Sequence, residues 1–143
     1  MNAQYILKAK DVRGHGLFEY DLNGVLRSFQ NLFEGYQERT LQYILKRTLT
    51  QDAINALVTT DEWHSAFKLE EYIGDVTFDE AYKKYDFPGD RGRALEVWNK
   101  LSRADRWRAY RFIEIYRSRC KARGHSMMLF KTYLNPKAKI WED

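Results

Sequence analysis

The side chains able to do chemistry in this chain of 143 residues fall into three sets: scattered histidines, short acidic pairs and a dense run of arginines. His15, His64 and His125 stand far apart, and Cys120 with His125 gives one Cys-x4-His pair with no second half. A metal site needs three or four ligands at workable spacing, so the pair reads as incidental. Asp61-Glu62 near His64, and Glu70-Glu71, have no nucleophile or motif around them and read as solvated surface. No G-x-x-x-x-G-K-[ST], G-x-G-x-x-G or G-x-S-x-G stretch occurs, which argues against nucleotide hydrolysis and acyl transfer. The residues call for no cofactor and no metal, and the expectation is a protein that is not an enzyme.

The arginines are the stronger signal. They concentrate between Asp90 and Gly124, where Arg103, Arg106, Arg108, Arg111, Arg117, Arg119, Lys121 and Arg123 lie in one helical run. Residues 1 to 75 hold 8 Lys/Arg and 11 Asp/Glu, whereas residues 76 to 143 hold 16 against 9, so the second half carries all the excess positive charge. Such asymmetry points to polyanions or to an acidic protein partner. The planar guanidinium suits phosphate and carboxylate better than a generic solvated face requires. Those eight side chains are therefore the candidate phosphate contacts.

Trp107 sits among them and has two readings. In the first it is a packed tryptophan, lying under the N-terminal half or the tail. Alternatively it is a stacking platform in a cationic surface, the arrangement that single-stranded nucleic acid uses.

The elements that position these residues follow from periodicity and punctuation. Tyr5 to Ala9 reads as a strand, and GLFEYDL and VLRSF flank Asn23-Gly24 as a hairpin with a type I′ turn, both central residues at positive φ. Phe18 and Tyr20 then share one face, with Leu17, Glu19 and Asp21 on the other. Leu41, Ile44, Leu45 and Leu49 recur at helical spacing over Gln37 to Leu49, and Thr50 N-caps a short helix to Val58. SAFKLEEYI reads as a strand returning to the hairpin sheet, and Gly74-Asp75 marks the boundary of the two halves.

In the second half, Thr77 and Glu80 form a capping box for a helix that ends before Pro88-Gly89. Asp90 caps a helix with Ala94, Trp98 and Leu101 on one stripe. Ser102 and Asp105 form a second capping box, opening the longest helix, which ends at Gly124. Ala109, Phe112, Ile113, Tyr116 and Cys120 gather on its core face, with Trp107, Arg111 and Ser118 nearly opposite and Arg106 and Arg117 flanking the apolar stripe. Met127, Met128 and Phe130 are expected to seal the bundle, before an extended tail in which Trp141 packs back.

TFDEAYKKY, ALEVWNKLSRADR, the Tyr116 helix and TYLNPKAKIWED occur in this order from Thr77 to Asp143. In that order they resemble a C-terminal segment of phage and prophage replication proteins of the replisome-organiser and helicase-loader type. The resemblance implies a small phage protein with Phe78, Tyr85, Trp98 and Trp141 as structural landmarks.

The combined expectation is an α+β chain: residues 1–75 form a small hairpin sheet with helices, and residues 76–143 an all-helical basic bundle. Its expected function is binding of DNA or RNA, in replication on the strength of the resemblance. The alternative is a phage-encoded inhibitor of a host nuclease, anti-CRISPR in manner, acting on the protein or its guide RNA. A host replication protein is a third kind of partner. No apolar run reaches the roughly 18 residues of a membrane span, and the N-terminus lacks a signal-peptide core, so the bacterial cytoplasm is the expected compartment.

Overall fold

The computed structural model describes residues 1–60, 63, 65–87 and 89–141, and the chain divides into two compact units, Asn2–Tyr72 and Ile73–Asp143 with Met1. Asp61, Glu62, His64 and Pro88, which figure in the sequence reading, lie outside the described residues.

In the first unit an antiparallel sheet runs in the order β3-β2-β1-β4, with β1 Ala3–Ala9, β2 Gly16–Tyr20, β3 Leu26–Asn31 and β4 Phe67–Glu71. The pairings Tyr5↔Phe18, Phe18↔Phe29 and Leu7↔Leu69 put one apolar face in register. Helices α1 (Glu38–Lys46) and α2 (Gln51–Leu57) bring Ile44 and Ile54 to the cluster of Leu7, Phe18 and Tyr20. The alternation expected in β2 is observed, with Phe18 and Tyr20 fully buried and Leu17 and Glu19 only partly so. The returning strand joins the sheet through β1, and Thr50 caps α2 by accepting from Ala53 N–H at 3.1 Å. Glu70 is on the surface, as expected, and pairs there with Lys8 at 2.9 Å and Lys68 at 3.1 Å.

Two local expectations are corrected. The hairpin turn is not type I′, because within it only Gly24 has positive φ (75°). Asp21 decides the outcome: its carboxylate accepts from the N–H groups of Asn23 and Val25, and its carbonyl accepts from Gly24 N–H at 2.9 Å. That network makes a three-residue loop with glycine in the left-handed position, the next commonest hairpin solution. Helix α1 stops at Lys46, so Leu49 leaves the helical stripe and is 56% exposed. Thr48 ends the turn instead, buried, with its hydroxyl donating to Ile44 O and its carbonyl accepting from Tyr20 Oη.

The second unit is helical: α3 Phe78–Tyr85, α4 Arg91–Lys100, α5 Arg103–Arg123 and α6 Phe130–Leu134. The chain is thus α+β, a sheet with helices followed by a helical bundle. Thr77 and Glu80 form the full capping box, and Asp90 caps α4. At α5 only half of the expected box exists: Ser102 Oγ accepts from Asp105 N–H, while the Asp105 carboxylate faces Arg108. The core joins Trp98, Phe112, Ile113, Phe130, Tyr133 and Trp141, the last only 2% exposed with Nε1 donating to Tyr133 O at 3.0 Å. Phe130 seals the bundle as expected, but Met128 is 46% exposed. Its backbone, not its side chain, is held, because Tyr85 Oη donates to Met128 O and Tyr116 Oη accepts from Met128 N–H. The segment after Asn135 is a turn of 3-10 helix, Pro136–Ala138, rather than extended chain.

Candidate nucleic-acid interface

The candidate surface is built on α5, and its local causes are plain in sequence. Ser102 supplies the N-cap, Asp105 lies in the first turn, and Gly124 adopts the left-handed conformation (φ 68°) that ends the helix. Ala109, Phe112, Ile113, Tyr116 and Cys120 are all buried, as their spacing requires. That fixes where the eight cations can go.

Three of them work inside the unit. Arg106 Nε donates to Trp98 O at 3.0 Å and Nη2 to Asn99 O at 3.3 Å, with the guanidinium 5.5 Å from the Trp98 ring. It adds a charged donor at the C-terminal end of α4, where Trp98 O also accepts from Leu101 N–H at 3.1 Å. Arg117 does the same for α3, donating to Lys84 O and to Tyr85 O at 2.9 Å while pairing with Glu114. Arg103 binds the segment before α3, through Asp75 at 2.7 Å and Ile73 O at 3.1 Å.

Trp107 is half-buried, and its benzo ring lies against Gly74: a β-carbon at that glycine would come within 2.7 Å of two ring carbons. Its ring pairs with Tyr110 at 5.9 Å, and Lys84 sits 4.1 Å over the Tyr110 ring while donating to Tyr110 O. Burial pushes the Lys84 ammonium pKa down. Of the two readings of Trp107, this geometry matches packing, against Gly74 of its own unit.

The remaining cations differ from these. Arg108 pairs with Asp105 at 3.4 Å, and Arg111 is half-buried. Arg119, Lys121 and Arg123 are exposed on the last two turns, and among the described residues neither Lys121 nor Arg123 makes an ion pair. Beside them opens a cleft of about 470 Å³. Phe112, Tyr116 and Cys120 form its buried floor, and Arg119, Arg123, His125 and Lys139 stand on its exposed rim.

Residues 73–137 match the family model described as the Legionella vir region protein LvrA C-terminal domain. Over that span, just under half of the chain, the protein is similar to that domain. The matched span takes in α3 to α6, and therefore Arg103 to Arg123 and the cleft floor, but ends before Lys139 and Ile140. No curated protein and no solved structure matches the chain.

The eight cations are thus not one surface. Helix α5 divides them around its axis: Arg103, Arg106 and Arg117 lie on one side and staple the bundle, while Arg119, Lys121 and Arg123 are exposed. Cys120 and His125 do come together, but through the backbone, where His125 N–H donates to Cys120 O at 2.9 Å and closes the helix end. Among the described residues no three His, Cys, Asp or Glu side chains are placed to hold a metal, and no helix is long and apolar enough to cross a membrane. Lys139, His125 and Ser126 are site residues that sequence reasoning missed. The available signal was the pair of lysines in NPKAK, which become relevant only once Trp141 folds the tail back.

Proposed function

We propose that this is a non-enzymatic nucleic-acid-binding protein whose contact surface is the outward side of α5 and its C-terminal end. The observation that carries this reading is the charge of that helix. It holds eight Lys/Arg against two acidic residues, and the cations on its last two turns are exposed. Phosphate binding releases condensed counterions, so a surface of this kind gains affinity from each phosphate it neutralises. The resemblance of Thr77 to Asp143 to phage replication proteins is in keeping with a role in replication within the bacterial host cell.

The test is a fluorescence-anisotropy titration of labelled single-stranded DNA, duplex DNA and RNA at two salt concentrations. The Lys121→Gln/Arg123→Gln variant is run alongside. Binding should weaken steeply with salt, and losing two phosphate contacts should lower the log–log salt slope by about 1.4 for single strands and 1.8 for duplex. Binding that ignores salt, or no binding at low salt, would refute the reading and move attention to a host protein, to be sought by tagged pulldown.

A further inference from the structure

We infer that the cleft at the C-terminal end of α5 is a binding site for a nucleoside phosphate, either a free nucleotide or the phosphorylated end of a strand. The choice of ligand rests on the nucleic-acid reading above; the cleft itself stands on three observations of its own.

The first is charge. Arg119, Arg123 and Lys139 line the cleft with His125, and among the described residues no carboxylate lines it. A phosphate dianion suits the positive charge of Arg123 and Lys139, with arginine offering paired donors. The second is that the cleft has two characters. Its buried floor of Phe112 and Tyr116, with Ile140 alongside, is aromatic and apolar, and the Arg119 guanidinium lies 5.0 Å from the Phe112 ring. An inorganic anion would use only the rim. A base attached to the phosphate would use the apolar side of the cleft as well, stacking on the guanidinium plane of the exposed Arg119 rather than on Phe112, which is only 1% exposed. The volume, about 470 Å³, is in the range of small-ligand sites.

The third observation is that the cleft is held open by structure. Tyr85 and Tyr116 clamp both backbone groups of Met128, which fixes the segment from His125 to Met128 on one side. On the other, Lys139 stands at φ 51°, a left-handed conformation uncommon for a residue with a β-carbon. Glycine would occupy it without strain, and Asn more readily than lysine. Lys139 is nonetheless one of the residues that line the cleft. A site formed before the ligand arrives loses less ordering entropy on binding.

The experiment is calorimetric titration of the full chain with adenosine 5′-monophosphate, inorganic phosphate, adenosine and phenylacetate. The Arg123→Gln/Lys139→Gln variant is compared, with circular dichroism confirming its fold. The monophosphate should bind one to one, at least about tenfold more tightly than any of the other three, and the variant should weaken it about tenfold or more. Lys139→Arg, which keeps the charge, should bind like the parent.

Equal binding of phosphate and nucleotide, or of phenylacetate and nucleotide, would overturn the proposal. So would an unaffected double variant, or no saturable binding at about 1 mM nucleotide. Two oligonucleotides, with and without a 5′-phosphate, distinguish the sources. Preference for the phosphorylated end indicates a strand terminus; indifference, with the monophosphate still bound, indicates a free nucleotide. If long strands bind with steep salt dependence while the monophosphate does not bind, the cleft assignment fails and the nucleic-acid reading survives. The opposite pattern refutes that reading and leaves the cleft in place.

Discussion

Replacing Gly74 with alanine puts a methyl carbon 2.7 Å from two carbons of the Trp107 ring and 2.9 Å from a third. Carbon atoms pack at about 3.5–4.0 Å, so either the indole or the segment before α3 must shift. That segment has little freedom, because Arg103 grips both Ile73 O and Asp75. Overpacking of this kind costs about 1–3 kcal/mol. The helical unit has the size of a small domain, for which each kcal/mol moves the melting temperature by about 4–8 °C. Near-ultraviolet circular dichroism during heating reads the change directly, since the tryptophan environment supplies the signal.

The same measurement in a Trp107→Leu background separates this cause from any other. With the indole gone the methyl group has room, so the two substitutions should be non-additive by at least about 0.5 kcal/mol. A Gly74→Ala chain as stable as the parent, or one equally destabilised in both backgrounds, would refute the contact as the reason for glycine. The functional corollary is as sharp. A packed Trp107 leaves strand affinity unchanged in a folded Trp107→Leu chain, whereas a stacking Trp107 would lose about 1–3 kcal/mol of binding.

Four further outcomes follow from the same geometry. Arg117→Met should destabilise the helical unit by about 1.5–3 kcal/mol in chemical denaturation, because it removes charged donors from Lys84 O and Tyr85 O. Arg123→Gln should stay within about 0.5 kcal/mol of the parent in that assay and lose polyanion affinity instead. Trp141→Ala should cost about 3–5 kcal/mol, since it empties a buried site and leaves Tyr133 O without its indole donor. Stability should also fall above about pH 10, where unfolded tyrosines ionise, because burial raises the Tyr85 and Tyr133 pKa values and keeps both neutral in the folded chain. The sign follows from proton binding: at that pH the folded state holds protons the unfolded state has lost. Unfolding monitored by circular dichroism beside tyrosinate absorbance checks it, and loss of structure below the onset of ionisation would count against it.

The fold was legible wherever a short-range rule and burial agree. The Thr77/Glu80 box, the Thr50 and Asp90 caps, Gly124 and the core face of α5 are all local devices, and each appears as its residues require. The misses have a different origin. At Asn23-Gly24 the dipeptide favours a two-residue turn, but Asp21 two positions earlier offers a carboxylate to two N–H groups and lengthens the loop. At Leu49 the apolar period continues in sequence after Thr48 has already ended the helix, its hydroxyl back-bonding to Ile44 O. A side chain competing for the backbone overrides a propensity, and a hydropathy pattern does not register it.

The site was legible only as a density of charge. Sequence spacing places Arg106 and Arg117 beside the apolar stripe, but nothing in it reveals that the ends of α4 and α3 meet them there. A flanking arginine long enough to reach a neighbouring helix end adds a charged donor to its carbonyls, and it then contributes to the stability of the bundle rather than to a ligand surface. Angle around α5 therefore separates the two groups: at about 100° per residue Arg103, Arg106 and Arg117 fall on one side of the helix and Arg108, Arg119 and Arg123 on the other. The exposure of Arg119, Lys121 and Arg123 moves the centre of the candidate surface toward Gly124, where a tail lysine held in a left-handed conformation joins the helix cations over an aromatic floor.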